Sequence, residues 1–343
     1  MRNKKILFDA RLGIEGFSGI SYVSREILNS LIEVFEAENI YLYTNALIND
    51  CVISIDNQII TKKKPFSFND YSFYPKTIDF DLIFCPYTLP LFVKSTQNLV
   101  FLIHDVCFLS DKFWPQNNLL SFLKKNILKY HIKFISKNAF DIIVPTDIVQ
   151  FYLKKKLNIS STIINNPVNV NSFIKIESFS NEKYILYVGN NRSHKNLNLL
   201  SSIIRSNQEY KFIFIGVNKI EFEKDFGFFE NIQFKKKLEY NVYLNYIYHA
   251  EILINTSYCE GFCIPVYEAL QLNTKVICGN TPIFKSLRKY LYLAELNLES
   301  FDMLIKQVYS GNCKELFKYN YINNLSYTSY FSQLNQSLNN MSL

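Results

Sequence analysis

Glu260 and Glu268 are the residues whose types and spacing first point to chemistry. They lie eight apart in SYCEGFCIPVYEALQLNTKVICGN, on either side of Pro265, a residue suited to the first turn of a helix. That arrangement keeps Glu260 in a loop and sets Glu268 about one turn inside the helix. An ionised carboxylate accepts two or more hydrogen bonds, so two acids at different depths suit a polyhydroxylated ligand. A pair of acids favoured by the positive end of a helix dipole fits the same spacing. A second group follows Gly189 in YVGNNRSHKNLNLL, where Arg192, His194 and Lys195 stand at the opening of a helix. Arg and Lys beside free helix amides can hold a diphosphate, Arg as a planar fork and Lys as a point charge; a solvated basic helix start is the plainer alternative. A third group, Gly13, Gly16 and Gly19, is spaced GxxGxxG rather than GxGxxG. It permits close backbone approach to an anion, or serves as a flexible turn. The chain has only 9 glycines, against about 24 at ordinary usage, so the position of each carries information.

The elements that must position these groups are legible from hydrophobic patterning. Short β-branched and aromatic runs (KKILFDA, IYLYTN, DLIFCP, LVFLIHD, DIIVPT, then YILYVG, KFIFIG, IQFKK, EILINTS, KVICGN) alternate with amphipathic stretches, one of them carried by Tyr22, Val23, Ile27, Leu31 and Phe35. Continuous apolar runs of this length are what strands covered on both faces look like. The pattern predicts an α/β chain with parallel sheets. A polar Asn/Ser-rich stretch, NNPVNVNSFIKIESFSNEK, interrupts it near mid-chain. The expected organisation is a Rossmann-like domain over 1–165, a linker over 166–182 and a second Rossmann-like domain over 183–325, with a C-terminal helix at about 326–343 packing back on the first domain. A ligand site is expected in the cleft between the two domains.

Composition excludes several classes. With 48% hydrophobic and 16% aromatic residues in 343, the chain can bury real cores and is not predominantly disordered. A net charge of +7 is mild; it favours an acidic ligand or anionic surface, and no nucleic-acid partner is expected. Seven cysteines without zinc-like spacing suggest a reducing compartment. The opening apolar run is too short for a signal peptide and no run is long enough to span a membrane, so a cytoplasmic protein, soluble or peripheral, is expected.

EGFCIPVYEAL resembles the E-x7-E signature of retaining GT-B glycosyltransferases, specifically glycosyltransferase family 4. Further stretches agree in order and spacing over most of the chain: the Gly-rich loop with GISYVSREIL, LIHDV, AFDIIVPTDIVQFYL with NNPVNVNSF, YVGNNRSHKNLNLL, and HAEILINTSYCEGF. The resemblance implies two Rossmann-like domains and transfer of a hexose, with mannose as the family-level expectation, from a nucleoside-diphosphate sugar to a glycan acceptor in bacterial surface polysaccharide, lipopolysaccharide O-antigen or capsule. It implies that Arg192 and Lys195 neutralise the donor diphosphate, that Glu268 binds the ribose hydroxyls and that Glu260 lies near the transferred sugar. The amides of Phe262, Cys263 and Ile264, beside Gly261, would face the sugar and phosphates. His104 would lie near donor sugar and acceptor, Gly16 and Gly19 would cover the phosphates, and Gly189 would end the strand leading to them. Cys263 departs from the family's second glycine of EGFG, Ser21 stands where an Arg often follows, and IFKSLRKYL lacks a common acid. An epimerase or hydrolase of the same fold and a catalytically silent nucleotide-sugar-binding subunit are the alternatives.

Asp79 and Asp81 imitate a DxD metal motif but precede their strand, so no metal or other cofactor is expected. His131 and His249 have no metal-ligand spacing. The stretch 113–137 mixes aromatic and aliphatic residues with lysines. A basic amphipathic helix resting on an anionic bilayer, within reach of a lipid-linked acceptor, and an ordinary helix with a lysine-rich outer face both fit it.

Overall fold

A computed structural model of the chain describes residues 4–12, 14, 19–49, 51–63, 79–88, 98–109, 119–137, 139–170, 173–177, 179, 182–236, 238–319 and 326–340. They form two compact units, the first drawing on residues before 168 and after 322, the second on 168–322.

In the first unit, β1 (Ile6–Asp9) leads to α1 (Gly19–Phe35), β2 (Ile40–Thr44), β3 (Gln58–Ile60), β4 (Leu82–Cys85) and β5 (Leu99–Leu102). There follow α2 (Leu119–Ser136), β6 (Asp141–Val144), α3 (Asp147–Leu157) and β7 (Thr162–Ile163). The strands make one parallel sheet in the order β3-β2-β1-β4-β5-β6-β7. β1 and β5 are buried at every residue, whereas β3 and β7, at the two edges, are not. This is the signature of a sheet covered on both faces. α1 turns Val23, Ile27, Leu31 and Phe35 inward, with Tyr22 half-buried beside them.

The second unit repeats the design. β8 (Tyr184–Val188), α4 (Leu197–Ser206), β9 (Lys211–Ile215), α5 (Lys219–Phe226) and β10 (Ile232–Lys235) lead to α6 (Tyr240–Tyr248) and β11 (Ile252–Asn255). Then come α7 (Ile264–Gln271), β12 (Val276–Gly279), α8 (Pro282–Lys285), β13 (Tyr292–Ala294) and α9 (Leu298–Tyr309). The parallel order is β10-β9-β8-β11-β12-β13, in which the first strand lies between the second and the fourth. The core joins Ile185, Tyr187, Phe212, Phe214 and Ile254 of the sheet to Leu200 and Ile204 of α4 and Phe301 and Ile305 of α9.

The C-terminal helix α10 (Tyr327–Asn340) belongs to the first unit. The Tyr330 hydroxyl donates to Asp141 at 2.9 Å, Thr328 donates to Glu33 at 3.0 Å, and Phe331 meets Phe84 edge-on with ring centroids 5.3 Å apart. The stretch expected as a linker is in part docked. The amides of Ile174 and Ile176 donate to the side chains of Asn241 and Asn245 on α6, and Asn245 returns a bond to the Ile174 carbonyl. Paired backbone groups of this kind hold a segment in place. Among the described residues no helix is long and apolar enough to cross a membrane.

Candidate functional site

In a parallel sheet whose first strand lies between the second and the fourth, the loops leaving the strand ends on either side of the reversal diverge and open a crevice. In the second unit those strands are β8 and β11, which are paired neighbours. The loop after β8 carries Arg192 and Lys195; the loop after β11 carries Glu260. Local geometry makes the first loop close. Gly189 continues the ladder by donating to the Ile215 carbonyl at 3.0 Å. A 3-10 turn over Ser193–Lys195 precedes α4, so the basic residues stand ahead of the α-helix and not in its first turn. Asn196, in the left-handed region at φ 54°, caps α4 through Leu199. Two bonds tie the loops together: the Thr256 hydroxyl donates to the Lys195 carbonyl at 2.9 Å, and the Tyr258 amide donates to the His194 carbonyl at 2.9 Å.

The Lys195 ammonium meets Glu260 Oε1 at 2.7 Å, with side-chain exposures of 15% and 9%. Burial alone would push the Glu260 carboxyl up, but the ammonium beside it overcomes that and holds it below its ordinary value. Burial likewise opposes the charge on Lys195, and Glu260 more than restores it. The result is a charged, mostly desolvated pair. Asn255, the last residue of β11, spans the pair and its neighbour: its side-chain nitrogen is 3.4 Å from Glu260 Oε1 and 3.3 Å from Cys263 Sγ. Arg192 is exposed, three residues before Lys195, and makes no ion pair among the described residues.

Cys263 is the N-cap of α7 at φ 69°, ψ 68°, a conformation in which glycine is the unstrained residue, and it provides no side-chain cap. Pro265 occupies the first turn. Gly261 and Phe262 are buried, and Phe262 stacks on Tyr267 at 4.1 Å. The amides of Phe262, Cys263 and Ile264 therefore sit at the start of α7, where helix donors lack intrahelical partners.

Glu268 lies one turn inside α7, buried, and the structure surrounds it with groups that no sequence motif announces. Tyr240 and Tyr243, three apart on α6, aim both hydroxyls at it: Tyr240 donates to Oε1 at 2.7 Å and Tyr243 to Oε2 at 2.5 Å. Burial raises the Glu268 pKa to about 7, against the opposing effect of both phenols. Among the described residues no cation pairs with it. The two carboxylates thus differ in charge state: Glu260 is locked ionised by a lysine, while Glu268 is poised near neutrality. The Cys263 thiol, neutral because burial pushes it far up, feels both acids.

In the first unit, His104 follows β5, and its Nε2 is 2.8 Å from the Pro86 carbonyl oxygen. A carbonyl only accepts, so Nε2 carries the hydrogen and donates, and Nδ1 of the neutral ring is left as an acceptor. Burial lowers the His104 pKa in spite of the Pro86 carbonyl and Asp105, which act to raise it, so the ring is neutral at pH 7. Nearby, at the carboxyl end of β1, Arg11 forms a bidentate pair with Asp9 (2.8 and 2.7 Å), donates to the Tyr87 hydroxyl at 2.8 Å and lies over the Tyr43 ring. No sequence motif marks this buried cluster. Gly19 is the exposed first residue of α1; Gly13 and Gly16 lie outside the described residues. Asp81 accepts a bond from the Lys5 amide at 2.8 Å, tying the starts of β1 and β4 at the end of the sheet away from the strand carboxyl ends.

Residues 170–291 match the family model for glycosyl transferases group 1. The chain is 24% identical over 237 residues to the O-antigen chain mannosyltransferase RfbU of Salmonella typhimurium strain LT2, an alignment spanning 65% of this chain and 63% of that protein. Among solved structures it resembles a sucrose-phosphate synthase from Thermosynechococcus elongatus (TM-score 0.69, 14% identity, 90% of each chain). It also resembles WaaG, a glycosyltransferase involved in lipopolysaccharide biosynthesis (TM-score 0.67, 14% identity, 89% of this chain and 90% of that one). A third is Anabaena HepE, solved with UDP and glucose (TM-score 0.61, 12% identity, 98% of each chain). Residues 170–291, most of the second unit, thus resemble a group 1 glycosyl transferase domain, and the chain as a whole has the GT-B fold.

Proposed function

We propose that the chain is a retaining transferase of glycosyltransferase family 4. It moves a hexose, mannose first among the candidates, from a nucleoside-diphosphate sugar to a hydroxyl of a growing bacterial surface polysaccharide, O-antigen or capsule. The observation that carries this reading is the meeting of Lys195 and Glu260 at the carboxyl ends of β8 and β11, with Arg192 exposed on the same loop. Two permanent cations at that position stabilise the charge that develops on a departing diphosphate, the role a divalent ion has elsewhere, so the reaction runs without a metal. Glu260 positions the transferred sugar, Glu268 takes the ribose hydroxyls, and the α7 amides face the phosphates. Nδ1 of His104 accepts a bond from a sugar hydroxyl. The mannosyltransferase activity in the name of the Salmonella relative supports the choice of mannose, and the bound UDP and glucose of the Anabaena structure support the donor class.

The acceptor is a glycan carried on a lipid, and the protein works peripherally at the inner face of the membrane. Support comes from α2, where Leu123, Ile127, Tyr130 and Phe134 are 46%, 49%, 70% and 44% exposed. At 3.6 residues per turn they fall within about 60° of arc, opposite the buried Ile132 and Ile135. α2 contains four lysines and no acid, so a second copy of the helix would meet like charge, whereas an anionic bilayer complements it.

With a panel of sugar nucleotides and lipid-linked acceptors, Lys195→Ala and Glu268→Ala are each expected to cut transfer at least a hundredfold while far-UV circular dichroism stays unchanged. Wild-type rates in both variants would refute the site. Donor turnover equally fast without acceptor would replace the transferase reading by hydrolysis or epimerisation. Donor binding without turnover would indicate a silent subunit.

A further inference from the structure

Glu268 is a buried acid whose only charge-stabilising partners among the described residues are two phenols on one helix, and those phenols are not equivalent. The Tyr243 hydroxyl reaches Glu268 Oε2 alone, at 2.5 Å. The Tyr240 hydroxyl lies within bonding distance of two acceptors, Glu268 Oε1 at 2.7 Å and the Asn169 carbonyl at 3.1 Å. A phenol has one hydrogen and cannot donate fully to both. If Glu268 is ionised, Tyr240 donates to Oε1. If Oε1 carries the proton, it donates to the Tyr240 oxygen, and the Tyr240 hydrogen turns to Asn169. Tyr240 therefore satisfies the acid in either state, while Tyr243, a donor to Oε2 throughout, bonds the charged form more strongly. The two rings stack at 5.9 Å, which fixes the hydroxyls relative to one another.

We propose that Tyr240 and Tyr243 are positioning residues that make Glu268 a proton-linked receptor for a vicinal diol, each phenol filling one lone pair of one carboxylate oxygen and leaving the other for a ribose hydroxyl. This rests on the donor reading above. The donor then binds best to the ionised acid, and a deoxyribose, which lacks one of the two hydroxyls, leaves a buried lone pair unmatched. The groups facing the carboxyl are Tyr240 and Tyr243 from α6 and the Cys263 thiol at the start of α7, and both Tyr243 and Cys263 stay neutral through the range of interest because burial raises them. With the Glu268 midpoint at about 7, the ionised fraction climbs from about one-tenth at pH 6 to nine-tenths at pH 8, and donor affinity should rise about tenfold.

The test uses the full chain with UDP-glucose, GDP-mannose and ADP-glucose, diphosphate diesters whose charge is constant over that interval. It combines calorimetric affinities from pH 6 to 8 with a carbon-13 titration of labelled glutamate carboxyls, Glu268 being assigned from Glu268→Gln. Expected are a tenfold rise in affinity for the wild type, a titration midpoint near neutrality, an upward move of that midpoint in Tyr243→Phe and a smaller move in Tyr240→Phe. The 2′-deoxy form of the bound nucleotide, which keeps one of the two hydroxyls, should bind more weakly and show a shallower rise. A Glu268 midpoint below 5, or a Tyr243→Phe protein weakened equally at every pH, would overturn the proposal and leave the tyrosines merely structural. Failure of all three nucleotides to bind would overturn the donor reading, and the carbon-13 midpoints alone would then decide whether the phenols govern the acid.

Discussion

Replacing Lys195 with Met should destabilise the second unit by about 3 kcal/mol at pH 8, and most of that loss should vanish when Glu260 is neutralised as well. At 2.7 Å the pair attracts by about 6 kcal/mol at an effective dielectric of 20, before the cost of withdrawing both ions from water is subtracted. Removing one partner leaves the other charge buried without compensation, which typically costs about 3–5 kcal/mol; residual exposure places this case at the lower end. The sign of the pH dependence is fixed by the same geometry. In the wild type the Glu260 pKa is depressed, so its stabilising contribution is present above the unfolded value, about 4.3, and is lost as pH falls through the lower folded one. Without Lys195, burial is opposed only by the Ser257 hydrogen bond and the nearby His194, so the pKa moves up and the penalty grows as pH rises. Lys195→Met should therefore cost clearly less at pH 5 than at pH 8, and Lys195→Met with Glu260→Gln should cost less than either single change. Hydrogen exchange at the amides of β8 and β11 in increasing urea reads this locally, without assuming that the two units unfold together. A coupling energy under about 0.5 kcal/mol, or a penalty independent of pH, would refute the claim that the pair is desolvated and mutually dependent.

The same logic applies in the first unit: Arg11→Met strands Asp9 and should cost about 3 kcal/mol in urea denaturation, with Arg11→Met plus Asp9→Asn recovering much of it. Gly216, at φ +84°, has no room for a side chain, since a Cβ there would come 2.7 Å from the Gly189 carbonyl oxygen; Gly216→Ala should lose more than about 1 kcal/mol and lower the melting temperature measurably. Tyr130→Ser with Phe134→Ser should weaken sedimentation with phosphatidylglycerol vesicles severalfold, in a salt-dependent manner, while leaving circular dichroism unchanged; equal binding by the variant would remove the membrane assignment of α2.

Ten of the thirteen strands among the described residues coincide with apolar runs visible in the sequence, and the three that do not, β3, β7 and β13, are all sheet edges. These three have only two or three residues and are incompletely covered, as the half-exposed residues of β3 and β7 show, so they carry no continuous apolar run, whereas the fourth edge strand, β10, is longer and does. Residues 174–176 looked like linker because their composition is polar, yet their backbone is held by Asn241 and Asn245, partners about 70 positions away that no local pattern indicates. The site was legible where spacing and chemistry coincide, as in Glu260, Lys195 and the Pro265 helix start. It was illegible where tertiary packing assigns the role. Tyr240 and Tyr243 read as two aromatic residues of an amphipathic helix, and only the fold turns both hydroxyls onto one carboxylate. Asp9 and Arg11 sit two apart at a strand end, a spacing that says nothing of the Tyr87 and Tyr43 rings that enclose them.

The placement of α10 bears on the order in which the protein matures. Among the described residues the second unit lies within 168–322, whereas the first requires a helix encoded after it. On the ribosome the later unit therefore has all of its chain while the earlier one still lacks the segment that covers α1 and caps Asp141. Domains usually fold N-terminus first, but here the first unit cannot be completed until α10 has been made. A chain truncated after residue 325 should keep its second unit folded and leave open the face of α1 that α10 covers, the surface on which a chaperone would act.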